Sequence, residues 1–147
     1  MILMECCKSV VEIYPELNYV VKRYREGYST QYTAELRMFE RLKGLVFLPK
    51  FLSCQDSTLS IKMTYAGEII RSSTCPKDWL NQVQVMAEQL KEAKCYIRGL
   101  VKSNILVKDK RIYLIDLAMF RPCGPRKREE WRKNKTRLVG WISKFAK

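Results

Sequence analysis

The stretch from Ile97 to Ala118 reads IRGLVKSNILVKDKRIYLIDLA. Its two short apolar runs, NILV and RIYLIDL, are separated by a charged turn, which predicts a compact pair of β-strands. Asn104 begins the first run, and Asp116 ends the second. Oxygen atoms of carboxylates and amides are the ligands that Mg²⁺ takes in proteins. The pair of strands therefore carries two candidate metal ligands.

The whole chain has the composition of a globular protein. It has 147 residues, of which 47% are apolar and 29% are charged, and this length suits one domain with its own core. No apolar run approaches the roughly 18–20 residues that span a bilayer. The opening MILMECC lacks the basic start of a secretory signal. We therefore expect a cytoplasmic protein.

Cysteine and histidine usage excludes several kinds of chemistry. The chain has six cysteines, none spaced as C-x-x-C, and no histidine that could complete a zinc site. We expect reduced thiols rather than a disulfide scaffold, because a chain of this length does not need one. The lack of histidine also excludes Ser-His and Cys-His nucleophilic catalysis and a histidine general base.

Basic residues outnumber acidic ones by 28 to 15, which gives a net charge of +13. Much of the excess lies after Phe120, and such a segment attracts polyanions such as nucleic acid, a phosphorylated glycolipid or an acidic protein. The alternative is a solvated helix that keeps the protein soluble. The predicted polyanion-binding residues are Arg126, Lys127, Arg128, Arg132, Lys133 and Lys135.

The order of predicted elements indicates an α+β protein with two lobes. Ser9–Tyr24 reads as two strands around a turn, ILMEC before it as a third strand, Thr30–Lys43 as a helix, and residues 50–65 as a strand, a turn and a strand. After Gly67 the helical patterns dominate. We expect an N-lobe over residues 1–66, a minimal C-lobe over 67–120 and a basic C-terminal helix over 121–147.

Four polar residues gain meaning from their order along the chain. Lys22 lies in the apolar strand YVVKRY, Glu35 lies on the following helix, and Asn104 and Asp116 come later. Each alone is typical of a solvent-exposed position. Together they supply a cation for nucleotide phosphates, an anion that holds that cation, and oxygen ligands for magnesium. Phosphoryl transfer needs these groups.

These residues resemble the protein-kinase-like superfamily over roughly positions 10–120. YVVKRY is similar to the strand with the phosphate-binding lysine, Glu35 to the helix-C glutamate, NILV to the end of the catalytic loop, and IDLA to the metal-binding Asp-Phe-Gly element. The resemblance puts Met63 at the gatekeeper position and implies an adenine-binding hinge formed by Thr64, Tyr65 and Ala66. ATP and Mg²⁺ are the ligands that it implies.

The chain ends soon after DLA and has no Ala-Pro-Glu segment. In this it resembles small atypical kinases, either of the lipopolysaccharide-core type or of the type attached to tRNA-modification complexes. The resemblance implies a reduced two-lobed fold, in which a small β-rich N-lobe with one helix sits on a truncated helical C-lobe.

Two departures from the kinase pattern predict weak or absent phosphotransfer. Gly99 occupies the place of the aspartate that accepts the substrate's proton. A glycine-rich phosphate loop is also missing, and a short turn near residues 7–9 must replace it. We therefore expect a pseudokinase that binds ATP–Mg²⁺. The alternatives are a non-catalytic adaptor that binds nucleic acid or an acidic partner through its basic C-terminal helix, and a small-substrate or glycolipid kinase at a membrane surface.

Overall fold

The computed structural model of the chain describes residues 1–124 and 129–146. These residues form an α+β fold, as predicted. Three α-helices pack with antiparallel sheets, and every strand pair of the described residues is antiparallel.

A five-stranded sheet forms the first half of the chain, in the order β1-β2-β3-β5-β4. The β2–β3 hairpin follows the alternation of Val, Ile and Tyr that predicted it, and Asn18 closes its turn with a φ of 58°. Asparagine adopts this left-handed conformation more readily than most residues. The strands are β1 (Ile2–Glu5), β2 (Ser9–Tyr14), β3 (Tyr19–Tyr24), β4 (Phe51–Gln55) and β5 (Ser60–Thr64).

Helix α1 (Ser29–Arg41) connects β3 to β4 and packs against a 3₁₀ turn at Leu117–Met119. Its buried residues recur every three or four positions, so one face of the helix points inward. Glu35 is the only charged residue on that buried face, which makes it the exception that needs an explanation. The buried residues are Tyr32, Glu35, Met38 and Phe39.

The second half combines two more helices with two small sheets. Strands β6, β8 and β9 form one sheet, and β7 pairs with β10 in the other. Helix α2 covers this region, and its Val83, Met86 and Leu90 are buried. The elements are β6 (Glu68–Ile69), α2 (Trp79–Glu92), β7 (Cys95–Ile97), β8 (Ile105–Lys108), β9 (Arg111–Leu114) and β10 (Phe120–Pro122).

Helix α3 (Asn134–Ile142) packs on α2 and belongs to the core rather than projecting from it. Leu138 and Ile142 are fully buried. The buried Asn134 side chain accepts a hydrogen bond from the Ile97 N–H and donates one to the Cys95 carbonyl, both at 3.0 Å. This amide therefore extends the hydrogen bonding of β7 and fixes α3 beside it.

The predicted helix boundaries differ from the observed ones by a few residues. The helix predicted over Thr30–Lys43 runs from Ser29 to Arg41, and the long closing helix is a single α-helix, α3, flanked by 3₁₀ turns. Strands β6, β7 and β10 were missed, because two or three residues carry no usable alternation. Within residues 1–124 and 129–146, no helix has both the length and the apolar character needed to cross a membrane.

Candidate functional site

The structure brings Lys22 and Glu35 together in a nearly buried ion pair. Lys22 comes from the middle of β3 and Glu35 from α1, and the Lys22 Nζ lies 3.0 Å from the Glu35 Oε1. The side chains of Lys22 and Glu35 are 14% and 1% exposed. A buried carboxylate is strongly unfavourable unless it is paired and hydrogen-bonded. The burial of Glu35 therefore depends on the groups around it.

Two further donors satisfy Glu35. The Tyr24 hydroxyl donates to Oε1 at 2.7 Å, and the backbone N–H of Leu117 donates to Oε2 at 2.9 Å. Sequence reasoning missed both groups. Strand alternation places Tyr24 on the same face as Lys22, so the sequence pattern could have indicated Tyr24 as a partner of Glu35. No pattern indicates the Leu117 N–H, because every residue except proline carries such a donor.

Asp116 and Asn104 complete the cluster on its more exposed side. The Asp116 Oδ1 lies 3.4 Å from the Lys22 Nζ, and the Asn104 Nδ2 lies 3.5 Å from the Asp116 Oδ2. Asp116 adopts a φ of 65°, which is uncommon for a residue with a side chain but more frequent for aspartate. The structure thus gathers the four residues Lys22, Glu35, Asn104 and Asp116 at one place.

The electrostatics of the cluster keep Lys22 charged. Burial opposes its charged form, but the carboxylates of Glu35 and Asp116 outweigh that effect and raise the pKa of the ammonium group above its ordinary value. Burial and the Glu35 carboxylate likewise raise the pKa of the Tyr24 hydroxyl. The Lys22 Nζ also lies 4.8 Å from the centre of the Tyr24 ring, where the ring face attracts a cation.

Asp116 and Asn104 fit a divalent cation that takes its remaining ligands from phosphates and water. Asp116 is about one-third exposed, and turning the Asn104 amide over would direct its oxygen instead of its nitrogen toward the same space. Magnesium is commonly bound by one or two carboxylates together with substrate phosphates. No cluster of three or more Cys, Asp or Glu residues that could hold a metal occurs among the described residues.

The segment predicted as the adenine-binding hinge connects β5 to β6. Met63 and Ala66 are buried. The Tyr65 N–H donates to the Asn18 carbonyl at 3.2 Å, and the Tyr65 carbonyl accepts from the Lys108 Nζ at 3.4 Å. The Thr64 N–H donates to the Lys50 carbonyl, and the Thr64 hydroxyl accepts from the Lys50 N–H. The backbone of this segment is thus fixed on both sides.

The turn predicted to replace the phosphate loop connects β1 to β2 through residues 6–8. It is tied by the Cys6 N–H, which donates to the Ser9 carbonyl at 3.0 Å, and by the Arg25 N–H, which donates to the Lys8 carbonyl at 2.8 Å. Hydrogen bonds to Ser9 and to the Lys8 backbone lower the pKa of the Cys6 thiol. The turn is short, and these two backbone hydrogen bonds hold it in place.

Gly99 lies two residues after the end of β7 and precedes the 3₁₀ turn that ends at Asn104. A Cβ added at this position would meet only the flexible end of Met119, at an ordinary contact distance of 3.5 Å. Gly99 is not among the glycines with positive φ, so its backbone suits other residues as well. This position can therefore accommodate a side chain, including one that carries a carboxylate.

The predicted polyanion-binding residues separate into two groups. Arg126, Lys127 and Arg128 lie outside the residues that the structure describes. Arg132 pairs with Glu129, and Lys133 pairs with Glu130, at 3.1 and 3.0 Å. Lys135 is exposed on α3. Neighbouring carboxylates therefore compensate part of the positive charge in the 3₁₀ turn that precedes α3.

No protein-family model matches the chain, and no curated protein matches it either. The functional interpretation has to be built from the site itself. That site is a nearly buried lysine–glutamate pair flanked by an aspartate and an asparagine.

Proposed function

We propose that the chain is a minimal kinase-like protein that binds ATP together with Mg²⁺. The observation that carries this proposal is the Lys22–Glu35 ion pair, with Asp116 and Asn104 beside it. A buried ion pair is a weak means of stabilising a fold, since apolar residues of similar volume often do as well or better. A cation fixed in position beside a partly exposed carboxylate is what a polyphosphate–metal ligand needs.

Each residue has a role that follows from its position. Lys22 would contact the nucleotide phosphates, and Glu35 is a positioning residue that fixes the Lys22 ammonium. Asp116 and Asn104 would hold the magnesium ion, which neutralises charge on the phosphates when it is bound. Adenine would lie against the segment Met63–Ala66, where Thr64, Tyr65 and the buried Ala66 form the edge. The superfamily resemblance supports the reduced two-lobed arrangement that these roles require.

Transfer of phosphate from this site would be slow. Gly99 has no side chain to accept the proton of an acceptor hydroxyl, and loss of a general base commonly costs roughly 10²–10⁴ in rate. Positioning and electrostatics supply most of the remaining catalysis in phosphoryl transfer. The function that the site favours is therefore nucleotide binding, with catalysis weak or absent.

The test is a calorimetric titration of the full chain with ATP in the presence and in the absence of Mg²⁺. We expect saturable binding that needs the metal, and loss of that binding in Lys22→Ala and in Asp116→Ala. Lys62→Ala is the matched control, because Lys62 lies on the neighbouring strand, pairs with Val21 and contacts the Tyr19 ring. Circular dichroism would establish that each variant is folded.

Thermal unfolding gives a second readout of the same binding. Nucleotide at 100 times its dissociation constant stabilises a folded protein by only about 2.7 kcal/mol, so the expected shift is modest. Absence of binding to the wild-type chain at millimolar ATP–Mg²⁺ would overturn the proposal, and so would equal binding by the folded Lys22→Ala and Asp116→Ala variants.

A further inference from the structure

A groove of about 960 Å³ lies between α1, the loop that follows it and the β8–β9 hairpin, and Thr64 and Tyr65 are also part of its lining. None of the four cluster residues lines it. Its floor is apolar and includes Leu36, Phe39, Leu42, Leu48 and Leu117. A volume of this size is at the upper end of what binding clefts offer, and it accommodates several side chains of a docked segment.

The lining of the groove is strongly positive. Four cations, Lys43, Lys50, Lys108 and Arg111, face one carboxylate, that of Glu40. Within the described residues, none of the four cations makes an ion pair. Lys108 donates only to neutral oxygens, those of Asn18 and Tyr65. The positive charge of the lining is therefore available to a ligand.

Apolar side chains are exposed where the groove opens. Val46 is 53% exposed and Phe51 is 43% exposed, and both belong to the lining. The Phe51 ring lies 5.8 Å from that of the buried Phe39, so the apolar surface continues from the mouth to the floor. Exposed apolar surface with a charged surround is typical of an interaction site.

We infer that this groove is the docking surface for an acidic segment of a partner protein, in which Asp and Glu residues flank an apolar anchor. The anchor would fill the Leu42–Leu48 region while the carboxylates meet Lys43, Lys50 and Arg111. Charge complementarity of this kind steers encounter and excludes wrong partners. None of the four cluster residues lines the groove, but Thr64 and Tyr65 of the proposed adenine-binding segment do. The peptide titration is therefore carried out without nucleotide, so that its outcome does not depend on nucleotide binding.

The same observations argue against two other occupants. Nucleic acid would leave the leucine and phenylalanine floor without a matching surface, since its phosphates need cations and its bases need stacking or polar edges. A second copy of this chain carries a net charge of +13 and would meet a positive groove with like charge.

The experiment is a selection of random 12-residue peptides, displayed on phage, against the immobilised full chain. We expect the enriched peptides to carry at least two Asp or Glu residues around a Leu, Phe or Trp. A fluorescein-labelled copy of the best peptide is then titrated by anisotropy. Its affinity should fall by about tenfold in Lys43→Glu/Lys50→Glu. Lys77→Glu/Lys144→Glu, which changes the net charge equally at exposed positions outside the groove, should bind as the wild type does.

Phe51→Ala tests the apolar contact separately and should also weaken the peptide, while leaving the charge unchanged. Enriched peptides without acidic residues, or equal binding to the groove and control variants, would overturn the inference. It would also fail if a 12-nucleotide RNA bound the groove and displaced the peptide. Light scattering tests whether the groove binds a second copy of the chain. If the wild type is a dimer and Lys43→Glu/Lys50→Glu is a monomer, the groove is an interface between copies and the inference is overturned.

Discussion

Glu35 shows how a single residue decides the character of the site. An ammonium group, a phenol and a backbone N–H contact its two carboxylate oxygens, so groups of the protein itself compensate its charge. Removal of one partner from such a buried pair commonly costs 3–5 kcal/mol, roughly, because the other charge stays behind. The Glu35 carboxylate therefore favours the protonated forms of the Lys22 and Tyr24 side chains.

Stability should consequently depend on alkaline pH. The folded pKa values of Lys22 and Tyr24 are raised, so the unfolded chain loses these protons first, near pH 10. Below that pH both groups contribute fully to the free energy of unfolding. As the pH rises above it, that free energy falls by about 1.4 kcal/mol per pH unit for each group. Urea unfolding between pH 9 and 11.5 should show a steeper decline for the wild type than for Tyr24→Phe. Equal slopes would contradict this account.

Gly99 allows a direct test of the proposal that the site lacks a general base. An aspartate fits there, because its Cβ would meet only the end of Met119. We expect Gly99→Asp to raise the rate of ATP hydrolysis above that of the wild type, by up to about 10²–10⁴. Gly99→Asn, which has the same shape but no base, is the matched control and should change nothing. Robust turnover by the wild-type chain would show that Gly99 does not occupy the position of the base.

At the scale of residues, the sequence predicted which residues form the candidate site better than it predicted the contacts between them. Lys22, Glu35, Asn104 and Asp116 could be singled out because of their order along the chain, although each alone is typical of a solvent-exposed position. Their separations along the chain said nothing about distances in space. The αL conformation of Asp116 could not have been predicted either, since aspartate adopts it in only a minority of cases.

At the scale of elements, short strands depend on tertiary contacts. Strand β6 has two residues and pairs with β8, and Gly67 immediately before it has a φ of 101°. A Cβ on Gly67 would lie 2.1 Å from the Val107 carbonyl oxygen. The backbone at Gly67 therefore lies in contact with the backbone at Val107, and only glycine permits such a close approach. The long alternating strands and the two longer helices were predictable from periodicity, whereas this crossing was not.

Two glycine-to-alanine substitutions should therefore have opposite effects. Gly67→Ala introduces a clash with backbone atoms and a strained φ, and we expect it to destabilise the protein by at least about 2 kcal/mol. Gly140 lies in α3 with open space around its Cα. Gly140→Ala should stabilise by roughly 0.5–1 kcal/mol. Thermal and urea unfolding of the two variants measure both effects, and a harmless Gly67→Ala would be incompatible with the described β6–β8 contact.

At the scale of the whole molecule, the net charge of +13 predicts attraction to polyanions that weakens with salt. Heparin affinity should fall by at least about tenfold between 50 and 200 mM salt. Charge reversal at Arg126, Lys127 and Arg128 should weaken binding more than reversal at Lys8, Lys77 and Lys110, which are exposed elsewhere. Binding that is insensitive to salt, or equal in the two triple variants, would leave the basic segment as a solvated surface.

The contacts of the candidate site join distant parts of the chain. Lys22 and Asp116 are 94 positions apart, and Glu35 and Leu117 are 82 positions apart. Contacts of such long range form slowly, because the entropy of closing a large loop must be overcome before they contribute. We expect the cluster to assemble only after the five-stranded sheet and the β8–β9 hairpin have both formed and docked. A kinetic intermediate with one half folded would show native-like secondary structure but no site at all.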